Sequence, residues 1–382
     1  MFEKVAHAQA TGEPKRALLS LATGAGKTFI AVHLLKRISD AKQLGRALFV
    51  CDRDELRTQG LAALQNVFGN EAAAVSTGNA EKNARVIVAT YQTLGVDSDE
   101  ADASFLLKNY PENYFTHIVI DECHRSAWGK WSMVLERNPN AVQVGLTATP
   151  RQIELPPNCS EEAKQDVKIT GDNKKYFGEP VYEYSITQGM DDGYLALCDM
   201  QKGRVNLDDT GISMADILAR NPVDARTGQP ITALQLKQLY EKNTFEKQVL
   251  LPDRVLAMCR DLFDYLLKTG GPEQKSIIFC ARDQHADDVA VEMNNLYANW
   301  CQQQGQQPLD AYAFKCTAAG GKDELPSLKG QTRSHFIATT VELLTTGVDV
   351  PALRNIAFFR YVNSPITFYQ MVGRGTRIDP VS

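Results

Sequence analysis

The segment LATGAGKT, from Leu21 to Thr28, constrains the fold of this chain more than any other stretch. A short apolar run, Ala17 to Leu21, comes directly before it. After it, the stretch from Thr28 to Ile38 places a set of apolar side chains on one helical face: Ile30, Ala31, Leu34, Leu35 and Ile38. A strand, a glycine-containing turn and a helix in this order are the setting that a phosphate-binding loop requires, so an α/β domain built around such a loop is predicted.

The residue types of this loop suit a phosphate ligand. Glycine at positions 24 and 26 lets backbone N–H groups turn toward phosphate oxygens at a helix N-terminus, where the partial positive charge favours an anion. Lys27 is expected to reach the β and γ phosphates of ATP, and the Thr28 hydroxyl to ligate Mg²⁺. The predicted ATP-binding residues of the loop are Thr23, Gly24, Ala25, Gly26, Lys27 and Thr28. The general pattern GxxxxGK[ST] has glycine where this chain has Leu21, so the prediction needs a second element.

That element is IVIDECH, from Ile118 to His124, which puts two adjacent acids at the end of an apolar strand. Charge is costly there unless a cation binds. Asp121 is predicted to hold Mg²⁺, and Glu122 to orient and deprotonate the attacking water. His124, beside these acids, is predicted to have a coupling role, with a purely structural histidine as the alternative.

A third element, QMVGRGTR, runs from Gln370 to Arg377. Arg374 and Arg377 are three residues apart, so on one helical turn both would point the same way. Arginines delivered from another domain stabilise charge on a transferring phosphate, a contribution of about 10³ to 10⁵ in rate. Gln370 and the two arginines are therefore predicted to be catalytic, together with Lys27, Asp121 and Glu122. A solvated basic face is the alternative.

Short apolar runs alternate with longer amphipathic stretches along the chain, which predicts parallel sheets with crossover helices. The runs are Ala17 to Leu21, Ala47 to Cys51, Val86 to Thr90, Ile118 to Ile120, Val142 to Leu146, Ser276 to Cys280, Ala311 to Phe314, His335 to Thr339 and Asn355 to Arg360. A length of 382 residues suits two domains. We predict a first domain at 1–196 with an inserted loop at about 154–175, a linker or insertion at 197–250, and a second domain at 251–382.

Composition restricts the surroundings of the chain. The formal charge is -5 and the pI about 5.8, so no overall basic field indicates a nucleic-acid partner, which has to be inferred from motifs. Eight scattered cysteines form no CxxC pair, which favours a reducing cytoplasm over a disulfide framework or a zinc ribbon. Without an apolar signal core or a membrane-length apolar run, we expect a cytoplasmic protein with no membrane partner.

In this order the three elements resemble the helicase and translocase group whose Walker B box reads DEAD, DEAH or DECH. The resemblance covers nearly the whole chain and implies two RecA-like parallel-sheet domains in tandem, with the ATP site in the cleft between them. LTATP, from Leu146 to Pro150, matches the motif that links the ATP site to nucleic acid in that group, and TTVELLTTGVDVP, from Thr339 to Pro351, matches an element of its second domain. This implies coupling roles for Thr147 and Thr149, and nucleotide sensing by Gly347 and Asp349.

A narrower resemblance comes from YFGEPVYEYSITQGMDDGYLA, Tyr176 to Ala196, together with ATGAGKT, DRDEL and GVDVP. These segments are similar to the motor portion of the restriction (R) subunit of type I restriction-modification enzymes. Such subunits bind methyltransferase (M) and specificity (S) subunits, translocate double-stranded DNA with ATP, and cut it at distant positions. The resemblance therefore implies an ATP-hydrolysing translocase with double-stranded DNA and the M and S subunits as partners.

The chain departs from this family at both ends. The family's cleavage depends on an N-terminal nuclease domain, and its adenine-reading segment lies well upstream of the phosphate loop, whereas 26 residues precede Lys27 here and Gln9 is a weak adenine candidate. The chain also stops soon after Arg377. We therefore expect a fragment of a larger subunit, or a truncated gene product, that does not cut DNA by itself.

Tracking along DNA needs phosphate contacts, which hydroxyls and scattered basic residues provide. The resemblance places such contacts in the stretches 50–59, 88–94, 277–282 and 339–351. The candidate DNA-binding residues are Arg53, Thr90, Thr93, Arg282 and Thr340, each of which could instead cap a helix or solvate a loop. Aromatic residues are sparse around these motifs, which favours duplex tracking over capture of single strands.

Two other functions stay open from the sequence. A DNA-repair or remodelling helicase of the same superfamily would use the same ATP motifs. A nucleotide-dependent binding module without motor action is the other alternative, and it would not need Glu122 together with both arginines.

Overall fold

The computed structural model describes residues 1–52, 54–76, 78–95, 104–121, 123, 132–148, 161–203, 214–225, 227–241, 249–330, 334–342, 344, 350 and 352–378. The chain divides into two compact units. The first comprises Met1–Leu195 and Asn363–Gly373, and the second Ala196–Val362 and Arg374–Ser382.

A parallel sheet of seven strands forms the centre of the first unit. The strands are β1 (Arg16–Leu21), β2 (Ala47–Cys51), β3 (Ala72–Ala74), β4 (Val86–Thr90), β5 (His117–Ile120), β6 (Val142–Thr147) and β7 (Tyr182–Tyr184). Their order across the sheet is β3-β4-β2-β5-β6-β1-β7. Every residue of β2, β4 and β5 is buried, as expected for strands covered on both faces.

Helices cover this sheet, and neighbouring residues of a strand pack on opposite faces of it. Leu48 joins Ile87 and Ile118 on one face, whereas Phe49 joins Leu35 and Val88 on the other. The helices described in the first unit are α1 (Phe2–Thr11), α2 (Lys27–Asp40), α3 (Asp54–Phe68), α4 (Tyr91–Leu94), α5 (Ser104–Asn109), α6 (Ser132–Glu136), α7 (Glu161–Phe177) and α8 (Ile186–Asp191), with Pro365–Val372 from the far end of the chain.

The second unit contains a four-stranded parallel sheet and its own core. After β8 (Val223–Asp224) and β9 (Val249–Leu250), which pair antiparallel, come β10 (Ser276–Phe279), β11 (Ala313–Lys315), β12 (Ile337–Thr340) and β13 (Asn355–Phe358). The order of the larger sheet is β11-β12-β10-β13. Its helices are α9 (Met214–Ala219), α10 (Ala233–Glu241), α11 (Pro252–Thr269), α12 (Asp283–Gln304) and α13 (Leu325–Lys329), after which α14 (Pro365–Val372) returns to the first unit.

Two stretches that we expected to be irregular contain regular structure. The expected loop at about 154–175 includes most of α7, whose Phe177 lies over Gly145, where a Cβ would come 3.0 Å from the phenyl ring. The expected linker at 197–250 carries α9, α10, β8 and β9, which enclose a small apolar cluster around Ile217, Ile231, Leu236 and Leu251. The sequence did not predict these elements, because each is mostly polar and is anchored by only a few buried side chains.

The predicted strands agree closely with those observed. The runs at Ala47–Cys51 and Val86–Thr90 are strands over the same residues, and the predicted helix from Thr28 to Ile38 lies within α2. No helix in the described ranges is long and apolar enough to cross a lipid bilayer.

Candidate nucleotide site

The phosphate loop lies between β1 and α2, as the sequence predicts. Gly24 and Gly26 have φ angles of 85° and 83°, in the left-handed region that residues with a Cβ rarely adopt. Leu21, where the general pattern has glycine, is the last residue of β1 and is buried in the core. The position at which the chain differs from the general pattern is therefore part of the strand, where no positive φ is needed. The two glycines of the turn are unaffected by this difference.

The helix N-terminus at this loop presents backbone donors. Gly26 is the N-cap of α2, and the N–H of Ile30 makes an intrahelical hydrogen bond of 2.9 Å to the Gly26 carbonyl. The N–H groups of Lys27, Thr28 and Phe29 precede that bond, so they face out of the helix end, where the helix dipole favours an anion. This arrangement suits a phosphate group.

Two polar side chains of the loop are buried beside these donors. Lys27 is 9% exposed, and its Nζ is inaccessible to solvent. Thr23 is 6% exposed, and its Oγ1 is buried with no hydrogen-bond partner among the described residues. Buried polar atoms in native proteins are normally satisfied, and a triphosphate would supply acceptors at this place. The loop therefore fits the nucleotide that the sequence predicts.

Asp121 and Thr147 lie at the same edge of the sheet as the loop. Asp121 follows β5, Thr147 ends β6, and the loop follows β1, with β6 between the other two strands. Neighbouring strands are about 4.8 Å apart, so Asp121 lies about 10 Å across the sheet from the loop. Asp121 is 4% exposed and Thr147 5%. A buried carboxylate opposite a phosphate loop suits Mg²⁺ held between Asp121 and the Thr28 hydroxyl.

A buried cysteine, Cys51, lies near this carboxylate. The Asp121 N–H donates to the Val50 carbonyl at 2.9 Å, next to Cys51 at the end of β2. Burial, and after it the charge of Asp121, raise the pKa of the Cys51 thiol far above its ordinary value. Cys51 is therefore a neutral, apolar side chain at this edge and not a nucleophile.

Strand β7 supports the base of the loop. It pairs with β1, and the carbonyl of Tyr184 accepts a hydrogen bond of 2.8 Å from the Ala22 N–H at the start of the turn. The Tyr184 hydroxyl donates to Asp192 at 2.7 Å, and Ser185 caps α8. The segment that carried the narrower family resemblance thus supplies a strand that holds the phosphate loop.

The QMVGRGTR segment begins in the first unit. Gln370, 1% exposed, lies in α14, and Gly373 follows the last residue of that helix. A Cβ on Gly373 would come 2.9 Å from Cγ2 of Thr23 and closer still to its Cβ. The backbone at Gly373 is therefore packed directly against the phosphate loop, and this contact was not predicted. Its only sequence signal is a glycine between two residues that are predicted to be catalytic, Gln370 and Arg374.

The helical placement of the two arginines was wrong. Helix α14 ends at Val372, and Arg374 lies in the turn after it, while Arg377 lies beyond that turn. Two glycines, Gly373 and Gly375, make continuation of the helix unfavourable. Arg374 is 7% exposed, and Nε of Arg377 is buried. Both guanidinium groups thus belong to a packed segment, so a solvated basic face does not describe them.

In the first unit, the two threonine candidates for DNA binding use their hydroxyls locally. Thr90 is the N-cap of α4, and its Oγ1 accepts from the Thr93 N–H at 3.1 Å. The Thr90 N–H in turn donates to the Thr93 Oγ1 at 2.9 Å. This is the helix-capping interpretation that the sequence left open, and their contact with DNA stays a prediction.

In the second unit, Arg282 and Thr340 lie at the carboxyl edge of the sheet. Thr340 is the last residue of β12 and pairs with Phe279 of β10. Arg282 follows Phe279 by three residues in the chain. Both Thr340 Oγ1 and Arg282 Nε are buried without a hydrogen-bond partner among the described residues. Burial, and then the charge of Arg282, lower the pKa of the adjacent His285 to about 4. His285 is therefore a neutral side chain near pH 7.

Six predicted residues lie outside the described residues: Arg53, Glu122, His124, Thr149, Gly347 and Asp349. Their roles stay predictions.

Comparison with known proteins identifies the class of fold to which this chain belongs. Residues 2–152 match the family described as "Type III restriction enzyme, res subunit". The Hef helicase domain of Pyrococcus furiosus has the same fold, with a TM-score of 0.52 over 98% of this chain and 93% of that one, at 16% identity. The predicted pair of RecA-like parallel-sheet domains is confirmed: the chain has a helicase-like α/β fold.

Two further comparisons relate the chain to subunits of type I restriction enzymes. The chain is 30% identical to the EcoAI type I restriction enzyme endonuclease subunit of Escherichia coli, over 99% of this chain and 43% of the relative. A solved fragment described as an HsdR subunit of a type I restriction enzyme from Vibrio vulnificus YJ016 has a TM-score of 0.66 at 27% identity, covering 98% of this chain and 59% of that one. The chain is homologous to the endonuclease subunits of type I restriction enzymes, and it spans less than half the length of the EcoAI subunit.

Proposed function

We propose that this chain is an ATP-hydrolysing motor that moves double-stranded DNA, the motor portion of a type I restriction endonuclease R subunit. One observation carries the proposal: a phosphate loop with left-handed Gly24 and Gly26 shares a sheet edge with the buried carboxylate of Asp121. An anion site opposite a cation ligand suits a metal-bound triphosphate.

In this proposal each group has a separate task. The N–H groups at the start of α2 and the ammonium of Lys27 bind phosphate oxygens, while Thr28 and Asp121 hold Mg²⁺, which when bound would neutralise phosphate charge. Glu122 accepts a proton from the attacking water. Arg374 and Arg377 stabilise the charge that spreads over the transferring phosphate.

The DNA and the protein partners follow from the homology. We infer that double-stranded DNA and the M and S subunits are partners, that the complete complex is a type I site-specific deoxyribonuclease, and that it works in the cytoplasm. Arg53, Thr90, Thr93, Arg282 and Thr340 are the proposed DNA contacts, and Arg282 and Thr340 lie at the same edge of the sheet in the second unit. Thr147 and Thr149, with His124, are proposed to couple the ATP site to DNA, and Gly347 and Asp349 to sense nucleotide.

The test measures ATP hydrolysis without nucleic acid and with linear duplex DNA, single-stranded DNA or RNA. Duplex DNA is expected to give the strongest stimulation, and Lys27→Ala to abolish it. Lys36→Ala is the matched control, because Lys36 lies on the same helix with its side chain 42% exposed and paired with Asp40. It should hydrolyse ATP like the unmodified chain, since an exposed pair of this kind contributes little.

A second assay separates tracking from strand separation. Displacement of a third strand from a triplex, without release of the duplex strands, would support translocation. Unwinding with stimulation by single strands would instead favour a helicase. Hydrolysis that is insensitive to all nucleic acids, in this chain and in a longer protein containing it, would refute the motor.

A further inference from the structure

Phe29 is an apolar side chain at an exposed position of an otherwise well-packed helix. The apolar residues Ala31, Val32, Leu35 and Ile38 of α2 are buried, whereas Phe29 is 66% exposed. Single exposed apolar residues are common on protein surfaces, so exposure alone assigns no role. The position of Phe29 in the helix supplies the second observation.

The ring of Phe29 belongs to the helix end that carries the phosphate loop. It is the third residue of α2, two residues after Lys27. In a helix the Cα–Cβ bonds tilt toward the N-terminus, so a side chain covers the turn before its own Cα. For Phe29 that turn is the loop itself, and a Cβ placed on Gly26 would lie 3.9 Å from the Phe29 Cβ.

The orientation of a bound nucleotide brings its base to this side. In a phosphate loop the lysine reaches the β and γ phosphates, and the backbone N–H groups hold the α and β phosphates. The ribose and base are attached to the α phosphate, so they leave the loop away from the γ phosphate that Lys27 holds. The first turn of α2, with its outward N–H groups, is where that end of the nucleotide is expected.

His33 limits the freedom of the Phe29 ring. The two rings are one helical turn apart, with centroids 4.1 Å from each other and planes at 48°. His33 is also exposed, so the pair forms a surface of two aromatic rings. A side chain already restrained by a neighbour loses less freedom when a ligand binds. The pair is therefore preorganised to receive a flat ring.

We propose that Phe29, backed by His33, forms the platform on which the base of the bound nucleoside triphosphate stacks. This proposal rests on the proposed function, because it takes the phosphate loop as the site of the triphosphate. Stacking on an aromatic side chain needs only the face of a base, so Phe29 contributes to affinity without reading hydrogen-bond donors and acceptors. The loss on its removal should therefore be similar for ATP and GTP.

The test compares the affinities of the whole chain for ATP and for inorganic tripolyphosphate, which lacks a base. Stacking on an aromatic residue corresponds to about a 5- to 150-fold change in affinity. Phe29→Ala is expected to weaken ATP by a factor in this range and leave tripolyphosphate unchanged. Phe29→Tyr, which keeps the ring, should bind ATP like the unmodified chain. Leu234→Ala is the matched control, because Leu234 is 70% exposed on α10, outside the site.

A fluorescent base gives an independent readout. The triphosphate of 2-aminopurine riboside should be quenched on binding to the unmodified chain and remain bright on Phe29→Ala, since quenching reports stacking. Equal weakening of ATP and tripolyphosphate by Phe29→Ala would mean that Phe29 shapes the loop, which would overturn the platform.

Lys27→Ala distinguishes failure of the base platform from failure of the phosphate site. If Lys27→Ala weakens both ligands while Phe29→Ala changes neither, the phosphate site stands and the platform is wrong. If Lys27→Ala changes neither ligand, the phosphate site itself is wrong, and the proposed function fails with it.

Discussion

Replacing Gly373 by alanine tests how the end of α14 packs against the phosphate loop. The backbone of Gly373 has φ of -62°, which alanine adopts readily, so conformational preference is not the obstacle. Space is the obstacle, because the new Cβ would lie 2.9 Å from Cγ2 of Thr23 and closer still to its Cβ. Neither neighbour is the flexible end of a long side chain.

The size of the effect follows from this geometry. Carbon atoms that are not bonded rest about 3.5 to 4.0 Å apart, so the loop and the end of α14 have to separate by about 1 Å. Such overpacking costs about 1 to 3 kcal/mol of stability. Misplacement of a catalytic group by about 1 Å lowers the rate about 10²-fold. Because Arg374 follows Gly373 directly, we expect kcat for ATP hydrolysis to fall about 10²-fold while the fold survives.

Steady-state ATP hydrolysis at saturating duplex DNA measures this effect, and thermal unfolding monitors the fold. Gly171→Ala is the matched control, because Gly171 lies in α7 with nothing within 4 Å of its Cβ position. That variant should keep its kcat and gain stability slightly, as alanine favours a helix. Thr23→Gly removes the obstructing atoms, and because Thr23 belongs to the predicted ATP loop it serves as its own reference: Gly373→Ala should lower kcat less in the Thr23→Gly chain than in the unmodified chain.

A Gly373→Ala chain with unchanged kcat would refute the reasoning, since the loop would then tolerate the separation without effect on the arginines. An equal loss of kcat on Gly373→Ala in the Thr23→Gly chain and in the unmodified chain would also contradict this explanation, because the obstruction would then lie elsewhere.

Three further predictions concern single residues. Glu122→Gln should leave ATP affinity within about twofold and abolish turnover, because the amide does not accept the proton from water; binding and single-turnover measurements check this, and normal turnover would contradict the role. Arg377→Ala should lower kcat by about 10³-fold with little change in nucleotide affinity, since its charge matters mainly as the phosphate charge redistributes; a change in affinity alone would contradict it. Burial, and then the charge of Arg282, lower the pKa of His285 from 6.5 to about 4, so the unfolded chain binds more protons between these values. Stability from this residue is therefore complete above pH 6.5 and is lost as pH falls to about 4, by up to about 3 kcal/mol. As the pH is lowered from 6.5 to about 4, the urea midpoint of unfolding should fall less steeply in His285→Gln than in the unmodified chain. An equal slope in the two chains would show that another group dominates the pH dependence of stability.

The sequence determines much of the first unit because its signals are local. Apolar runs such as Ala47–Cys51 are long enough to specify buried parallel strands, and the glycines of LATGAGKT mark the turn before a helix. The order of these elements also implies that Asp121 and the loop meet at one sheet edge, since parallel strands end on the same side.

Local signals fail where a few distant contacts decide the structure. Helix α7 has a polar sequence, and it is anchored through Phe177 over Gly145, a contact between residues far apart in the chain. The stretch at 197–250 contains helices and strands around four buried apolar residues that no periodic pattern revealed. Spacing alone also placed Arg374 and Arg377 on one helical turn, whereas α14 ends at Val372, before both arginines.

The sequence by itself thus determined the parallel-sheet class, the phosphate loop and the chemical types of the predicted catalytic groups, because each depends on residue identity and on neighbours along the chain. Only the tertiary structure decided that Gly373 packs against Thr23, that Thr90 and Thr93 cap each other, and that Phe29 remains exposed beside the loop. These outcomes depend on which atoms fill the available space, and close packing between segments far apart in sequence cannot be read from either segment alone.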